Sequence, residues 1–276
     1  MLLTATCPPS LATSLLESLA ILNCHVIRAP TDRPEISYNV NLSKTIAQAQ
    51  KLLVEAVQER WKKSDADFRA IVYCRAKDST EKIAELIGCK SFHSDVPEAE
   101  REVRFKDWVQ GKEQVVVSTS LLGCGIDVEG VQVVYHYLTP WSVMDFVQES
   151  GRAGRGGKRA ESHVFASEGE RDDPDPEDQF GKQIMRDWVL QKMACRRVAL
   201  SSFLDDRAIV CTLLRNVNLC DVCRRKMGEP HPKHPIKLSR APLSPTDLPK
   251  VGPLPPIPPS SAQYAREMFR PPETQE

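Results

Sequence analysis

The sequence predicts an α/β fold, a parallel sheet with helices on both faces. Short β-rich runs at residues 70–74, 114–118 and 131–137 read as buried strands. Between and around them lie stretches of helical periodicity at 43–61, 97–111 and 142–149. Strands that alternate with helices of this length imply crossover connections, hence a parallel arrangement covered on both sides. Ligands of such sheets sit at the carboxyl ends of the strands.

In chain order, Pro8 and Pro9 lead into an apolar-periodic helix over residues 10–19, with a short strand expected near 25–28. Ile46, Leu53, Val57 and Trp61 fall at helical spacing behind Ser43, a candidate N-cap. After the strand at 70–74, Asp78 and Glu81 have the spacing of a capping box, and Gly88 is placed to end that helix. A strand at 90–93 follows. Pro97 opens a helix that stops at Gly111. Strands at 114–118 and 131–137, a helix at 142–149 and a strand at 162–166 complete the alternation. Residues 168–178 read as an acidic, solvated loop, and 180–203 returns to helix. From Gly228 onward lie 13 of the 21 prolines, with few large apolar residues. That composition predicts a disordered or polyproline tail, with the run 253–259 able to dock on a proline-binding domain.

Charge narrows the function classes. The 37 lysines and arginines equal the 37 aspartates and glutamates, so a nucleic-acid site must be a local patch. No apolar run reaches membrane-spanning length, and the N-terminus lacks the pattern of a signal peptide. Nine cysteines without a secretory signal point to a reducing, intracellular compartment, where clustered cysteines more often bind metal than pair.

The densest functional signal is Gln148-Glu149-Ser150-Gly151-Arg152-Ala153-Gly154-Arg155-Gly156-Gly157. Glycine lets backbone approach a ligand closely, and arginine offers a planar fork of donors suited to phosphate oxygens. The order glutamine, glycine-arginine, glycine-arginine resembles motif VI of superfamily-2 helicases. That resemblance implies that Arg155 is an arginine finger toward ATP held by a neighbouring domain, Arg152 a second phosphate contact and Gln148 a coupling residue. Other segments fit the same family in the right order. Leu3-Thr4-Ala5-Thr6 resembles motif III. Residues 31–38 resemble the inter-domain crossing of RecQ helicases. Ile71-Val72-Tyr73-Cys74-Arg75 resembles motif IV, and Phe92-His93-Ser94 the segment after it. Val117-Ser118-Thr119-Ser120, running on to Gly123-Cys124-Gly125-Ile126-Asp127, resembles motif V. By that resemblance Arg75, His93, Ser118 and Thr119 would face the nucleic acid, while Gly125 and Asp127 would face the nucleotide.

A second constellation is Cys195-Arg196-Arg197, then Cys211, then Cys220-Asp221-Val222-Cys223. A Cys-x-x-Cys pair plus two upstream cysteines can complete a four-thiolate tetrahedral site. The order is close to the zinc-binding subdomain of RecQ helicases, although the gap at 212–219 is longer than usual there.

Together these resemblances imply the C-terminal portion of a RecQ-like DNA helicase with a RecA-like sheet. The expected organisation is a remnant of a first RecA-like domain (1–30), a second RecA-like domain (31–167), a small helical zinc subdomain with the acidic loop (168–227) and the tail (228–276). The family couples ATP and Mg²⁺ to 3′-to-5′ unwinding of single-stranded or forked DNA, in repair and recombination, here in the nucleus. No Gly-x-x-x-x-Gly-Lys-Ser/Thr cradle or Asp-Glu-x-His box occurs in the sequence, so the chain alone is expected not to turn over ATP. Two other readings stay open. One is a non-catalytic DNA- or protein-binding remnant. The other is half of an RNA helicase, which Asp127 favours and the four cysteines oppose.

Overall fold

The computed structural model describes residues 4, 6–21, 24–123, 128, 130–171, 178 and 180–228. Six strands form one sheet: β1 (Ile36–Ser43), β2 (Arg69–Cys74), β3 (Lys90–Phe92), β4 (Val115–Ser118), β5 (Val131–Tyr137) and β6 (Ala160–Ser167). Their order is β1-β6-β5-β2-β4-β3, and each neighbouring pair is parallel. All carboxyl ends therefore lie along one edge.

Among the described residues the α-helices are α1 (Pro9–Ser18), α2 (Ile46–Lys62), α3 (Lys77–Ile87), α4 (Glu98–Gln110), α5 (Val143–Ser150), α6 (Lys182–Leu190), α7 (Arg196–Asp205) and α8 (Asp221–Lys226). One face of the sheet packs Leu53 and Val57 of α2 and Ile83, Ala84 and Ile87 of α3 against Val72, Val117 and Val133. The opposite face packs Trp108 of α4, Phe146 of α5, Trp188 of α6 and Leu204 of α7 against Ile36, Tyr38, Val134 and Val164. RecA-like layering follows from that division, since the central strands are apolar on both sides.

Several expectations shift. The edge strand β1 begins inside residues 31–38, expected as a domain crossing, and runs on to Ser43. Its alternation of Ile36, Tyr38, Val40 and Leu42 with Ser37, Asn39, Asn41 and Ser43 is a period-two pattern that carried the signal. Ser43 accordingly ends a strand and caps nothing. Thr45 is the N-cap of α2, in a reciprocal capping box with Gln48. Asp78 lies inside the first turn of α3 behind Ala76, and no side chain caps that helix. Gly88 and Gly111, at φ 86° and 83°, do terminate α3 and α4 as read. Residues 25–28 form no strand, because no ladder partner lies beside them and Ile27 is open to solvent. The helix expected over 180–203 is two helices. Gln191 breaks them apart, its side-chain oxygen accepting from the amides of Met193 and Ala194, and so turns Cys195 inward.

The cysteine-bearing segment is anchored to β1 by Arg197, whose side chain is fully buried. Its guanidinium donates to Asp32 Oδ1 at 2.7 Å, to the carbonyl of Arg33 at 3.0 Å and to that of Ile36 at 2.6 Å, and it lies 5.1 Å from the Tyr38 ring centre. Removing one partner of a buried pair strands the other charge, at a cost of about 3–5 kcal/mol. Arg197→Ala is therefore expected to lower unfolding stability by that order in urea titration. An exposed control, Lys51→Ala, should change it by less than about 0.5 kcal/mol.

Candidate nucleotide and nucleic-acid edge

The glycine-arginine segment leaves the end of α5, whose start is capped by Ser142 accepting from the Asp145 amide. Arg33, just before β1, grips the loop from outside. Its Nη1 donates to the Gly151 carbonyl at 2.9 Å and its Nη2 to the Ala153 carbonyl at 3.0 Å, while Glu35 holds its Nε. The Gly154 amide donates to the Val131 carbonyl at 3.0 Å. Gly154 sits at φ 70°, and a Cβ there would lie 2.7 Å from the Lys158 carbonyl oxygen, so only glycine fits.

This turn brings Arg152 and Arg155, both partly buried, beside Tyr73 at the end of β2. Burial pushes the Tyr73 hydroxyl above its ordinary range, and the positive charges of Arg152 and Arg155 pull against that push. Gln148 is exposed and donates from Nε2 to Thr6 Oγ1 at 3.1 Å, joining the motif VI-like helix to the motif III-like segment. Glu149, which the sequence reading left without a role, lies 3.1 Å from His136 Nε2, and His136 stacks on Tyr73 with ring centres 5.7 Å apart. Only the sheet register could have revealed this trio, because Tyr73 and His136 are directly paired across β2 and β5.

The other candidates divide. Thr119 is partly buried at the end of β4, with Ser120 exposed beside it. Ser118 is fully buried, its hydroxyl close to the carbonyls of Phe92 and Thr119, so it ties β4 to β3 and does not reach the surface. His93 is also buried, with Nε2 3.2 Å from Glu81 Oε1. Among the described residues neither ring nitrogen of His93 makes a well-directed hydrogen bond. Gly125 and Asp127 lie outside the described residues, as do Leu3, Ala5 and the tail from 229.

Arg75 lies over the Trp141 ring, 4.8 Å from its centre, with Nη2 3.5 Å from Glu170 Oε2. Burial lowers its affinity for the proton, and the Glu170 carboxylate opposes that shift. Glu170 corrects the reading of residues 168–178 as wholly solvated. It is buried, and its carboxylate accepts from the amides of Thr139 and Ser167 and from the Thr139 hydroxyl. One carboxylate thus fastens the ends of β5 and β6 and holds Arg75 after β2.

Beneath the sheet, Cys195, Cys211, Cys220 and Cys223 are all buried, and their sulfurs lie within 4.8 Å of one another. Cys195 Sγ is 3.6 Å from Cys211 Sγ and 3.9 Å from Cys220 Sγ. Four thiolates at roughly 2.3 Å from a tetrahedral zinc stand about 3.8 Å apart, so the donor set and its spacing fit that ion. Cys211, despite its long gap to Cys220, is fully inside the cluster. Burial, and then Cys220 beside it, push the Cys223 thiol up to about 12, a penalty on thiolate that a bound cation offsets. Arg196 clamps the cluster from outside through a two-pronged pair with Asp221 at 2.9 and 3.0 Å.

Comparison with known proteins places this geometry. Residues 48–157 match the helicase conserved C-terminal domain. A putative ATP-dependent DNA helicase Q1 of Caenorhabditis briggsae is 28% identical over 239 residues, covering 83% of this chain and 38% of the relative. The chain carries a helicase C-terminal domain and is similar to the C-terminal portion of helicases named RecQ or Q1. The ATP-dependent DNA helicase RecQ of Haemophilus influenzae is 31% identical over 170 residues, which are 60% of this chain and 26% of the relative. The chain thus spans well under half the length of these curated relatives. Among solved structures, S. cerevisiae Dbp5 bound to RNA and ADP BeF3 superposes with a TM-score of 0.52 at 19% identity, over 60% of this chain and 44% of that one, a likeness of fold.

The glycine loop yields a contrast that mutation can read. Gly154→Ala must relieve both a positive φ and the contact with Lys158, so a loss of about 1–3 kcal/mol is expected. Gly156 also has positive φ, at 75°, but its Cβ position is open, so Gly156→Ala should cost only about 1 kcal/mol. Urea unfolding of the two variants side by side measures the difference, and equal losses would refute the close contact.

Proposed function

We propose that this chain supplies the C-terminal half of an ATP-dependent 3′-to-5′ DNA helicase acting in the nucleus. It contributes an arginine finger and part of the DNA track to a site completed by a separate nucleotide-binding domain. The observation that carries the reading is the loop at 151–157, which is pinned to the first residue of β5 through Gly154 and sets the charges of Arg152 and Arg155 within reach of Tyr73. The relatives matched are named as DNA helicases, which favours DNA over RNA as the polymer.

In this role Arg155 directs its fork at the γ-phosphate, where charge is redistributed as the bond to the leaving oxygen breaks. Arg152 neutralises a second phosphate oxygen. Gln148, bonded to Thr6, passes the state of that site to the motif III-like segment. Thr119 contacts the DNA backbone from the end of β4. The bound nucleotide with Mg²⁺ supplies the free energy of hydrolysis, and its phosphate cradle belongs to the complementary domain.

Cys195, Cys211, Cys220 and Cys223 would hold one structural zinc, fixing α7 to α8. Metal binding energy then becomes folding energy for the subdomain. Elemental analysis should return one zinc per chain. Cys220→Ser and Cys211→Ser should each lose it and lower the thermal midpoint, and full zinc retention in Cys211→Ser would exclude that residue as a ligand.

The chain on its own should show no DNA-stimulated phosphate release. Joined to a complementary RecA-like domain carrying a P-loop, Arg155→Ala should lower kcat about a thousandfold or more, with little change in KM for ATP. Lysine should rescue poorly, because it lacks the planar fork. An Arg155→Ala protein with normal kcat and weakened DNA binding would reassign the loop to nucleic acid.

A further inference from the structure

We propose that Trp141 is a stacking platform for one unpaired nucleobase, set in position by Arg75 and Glu170. The inference deepens the DNA-track reading above and rests on it.

Trp141 is 48% exposed, whereas Trp108 and Trp188 are buried and Trp61 is partly covered. Its ring is nevertheless held firmly. The Arg75 guanidinium lies 4.8 Å from the ring centre, and Glu170 holds that guanidinium at 3.5 Å. The same carboxylate accepts from the amide and hydroxyl of Thr139 at 3.0 and 3.1 Å, two residues before Trp141, with Pro140 stiffening the step between them. Backbone and ring are thus fixed by one buried acid. A large aromatic surface kept open and rigid loses little freedom when a flat partner stacks on it.

The surroundings select the partner. Trp141 and Arg75 share a cleft with Ser120, next to Thr119, and with Asp145 and Glu149. Asp145 and Glu149, set against the one guanidinium of Arg75 that Glu170 already holds, disfavour a phosphate within the cleft. They suit the amino and imino donors on a base edge, so a strand whose backbone lies at Thr119 presents its base, and not its phosphate, to Trp141. A proline-rich peptide is the other flat partner a tryptophan takes, but its prolines carry no N–H to donate to the two acids.

The test uses the full chain and two probes, single-stranded oligo(dT) of roughly fifteen nucleotides and an abasic strand of the same length. Oligo(dT) should quench tryptophan fluorescence, and Trp141→Phe should abolish the quench while keeping most of the affinity. By anisotropy, Trp141→Ala should weaken oligo(dT) about tenfold and leave the abasic strand unchanged. Thr119→Ala should weaken both strands alike. Because the ring is exposed, the thermal midpoint of Trp141→Ala should match the parent and so exclude misfolding. Equal affinity of Trp141→Ala and parent for oligo(dT) overturns the platform while leaving the DNA track standing. Displacement of the fluorescence signal by a peptide of residues 249–262 overturns it in favour of the tail. Failure of the parent chain to bind either strand overturns the track and the platform together.

Discussion

The buried guanidinium of Arg197 is the centre of the join between the cysteine-bearing segment and the sheet. Arg197, on the first turn of α7, reaches Asp32 and the carbonyls of Arg33 and Ile36, where the chain enters β1. A planar fork can satisfy several acceptors at once in a space where lysine would leave some unmet. Around it, Asn218 donates its amide to the Pro34 carbonyl at 2.7 Å, and Arg224 donates to Ser37 Oγ at 2.9 Å. The polar alternation of β1, unusual beside the apolar central strands, is explained by these partners. Ser37 and Asn39 face the cysteine-bearing segment and are buried against it.

That join fixes the loop at 151–157 as well. Arg33 follows Asp32 directly and holds the carbonyls of Gly151 and Ala153. The chain of contacts therefore runs from the cysteine cluster through Arg197 and residues 32–33 to the arginine loop. Each step is short and buried or half-buried, and none depends on a solvent-exposed ion pair. A metal bound by the four cysteines would stiffen the far end of that chain, so its effect on the arginine loop would pass through backbone positions and not through charge.

Local chemistry made much of this legible. β5 matches the apolar run at 131–137 residue for residue, and Gly88 and Gly111 end their helices where the turn chemistry requires positive φ. The four cysteines were readable because a tetrahedral site constrains spacing in sequence as well as in space. What escaped was set by tertiary pairing. β1 was obscured because its polar positions are buried by a segment some 180 residues later, as the Ser37 contact with Leu219 shows. Glu170 sits in an acidic stretch and looks solvated until β5 and β6 bring Thr139 and Ser167 to it. Arg196 and Arg197 stood in a quoted motif, but their partners, Asp221 and Asp32, lie 25 and 165 residues away. Ser118 turns its hydroxyl inward, as a hydroxyl at a strand end can do as easily as outward.

The N-terminal segment is attached in a different manner. Helix α1 has no fully buried residue; its Leu11 packs partly buried against the core, and among the described residues its neighbourhood is also tied down by Gln148 to Thr6, Arg28 to the Leu204 carbonyl and Thr31 to Asp205. A single hydrogen bond contributes only about 1 kcal/mol, far less than stranding the charge of Arg197 would cost. The N-terminal segment therefore rests on a few weak fastenings, and one of them is the glutamine that opens the arginine loop.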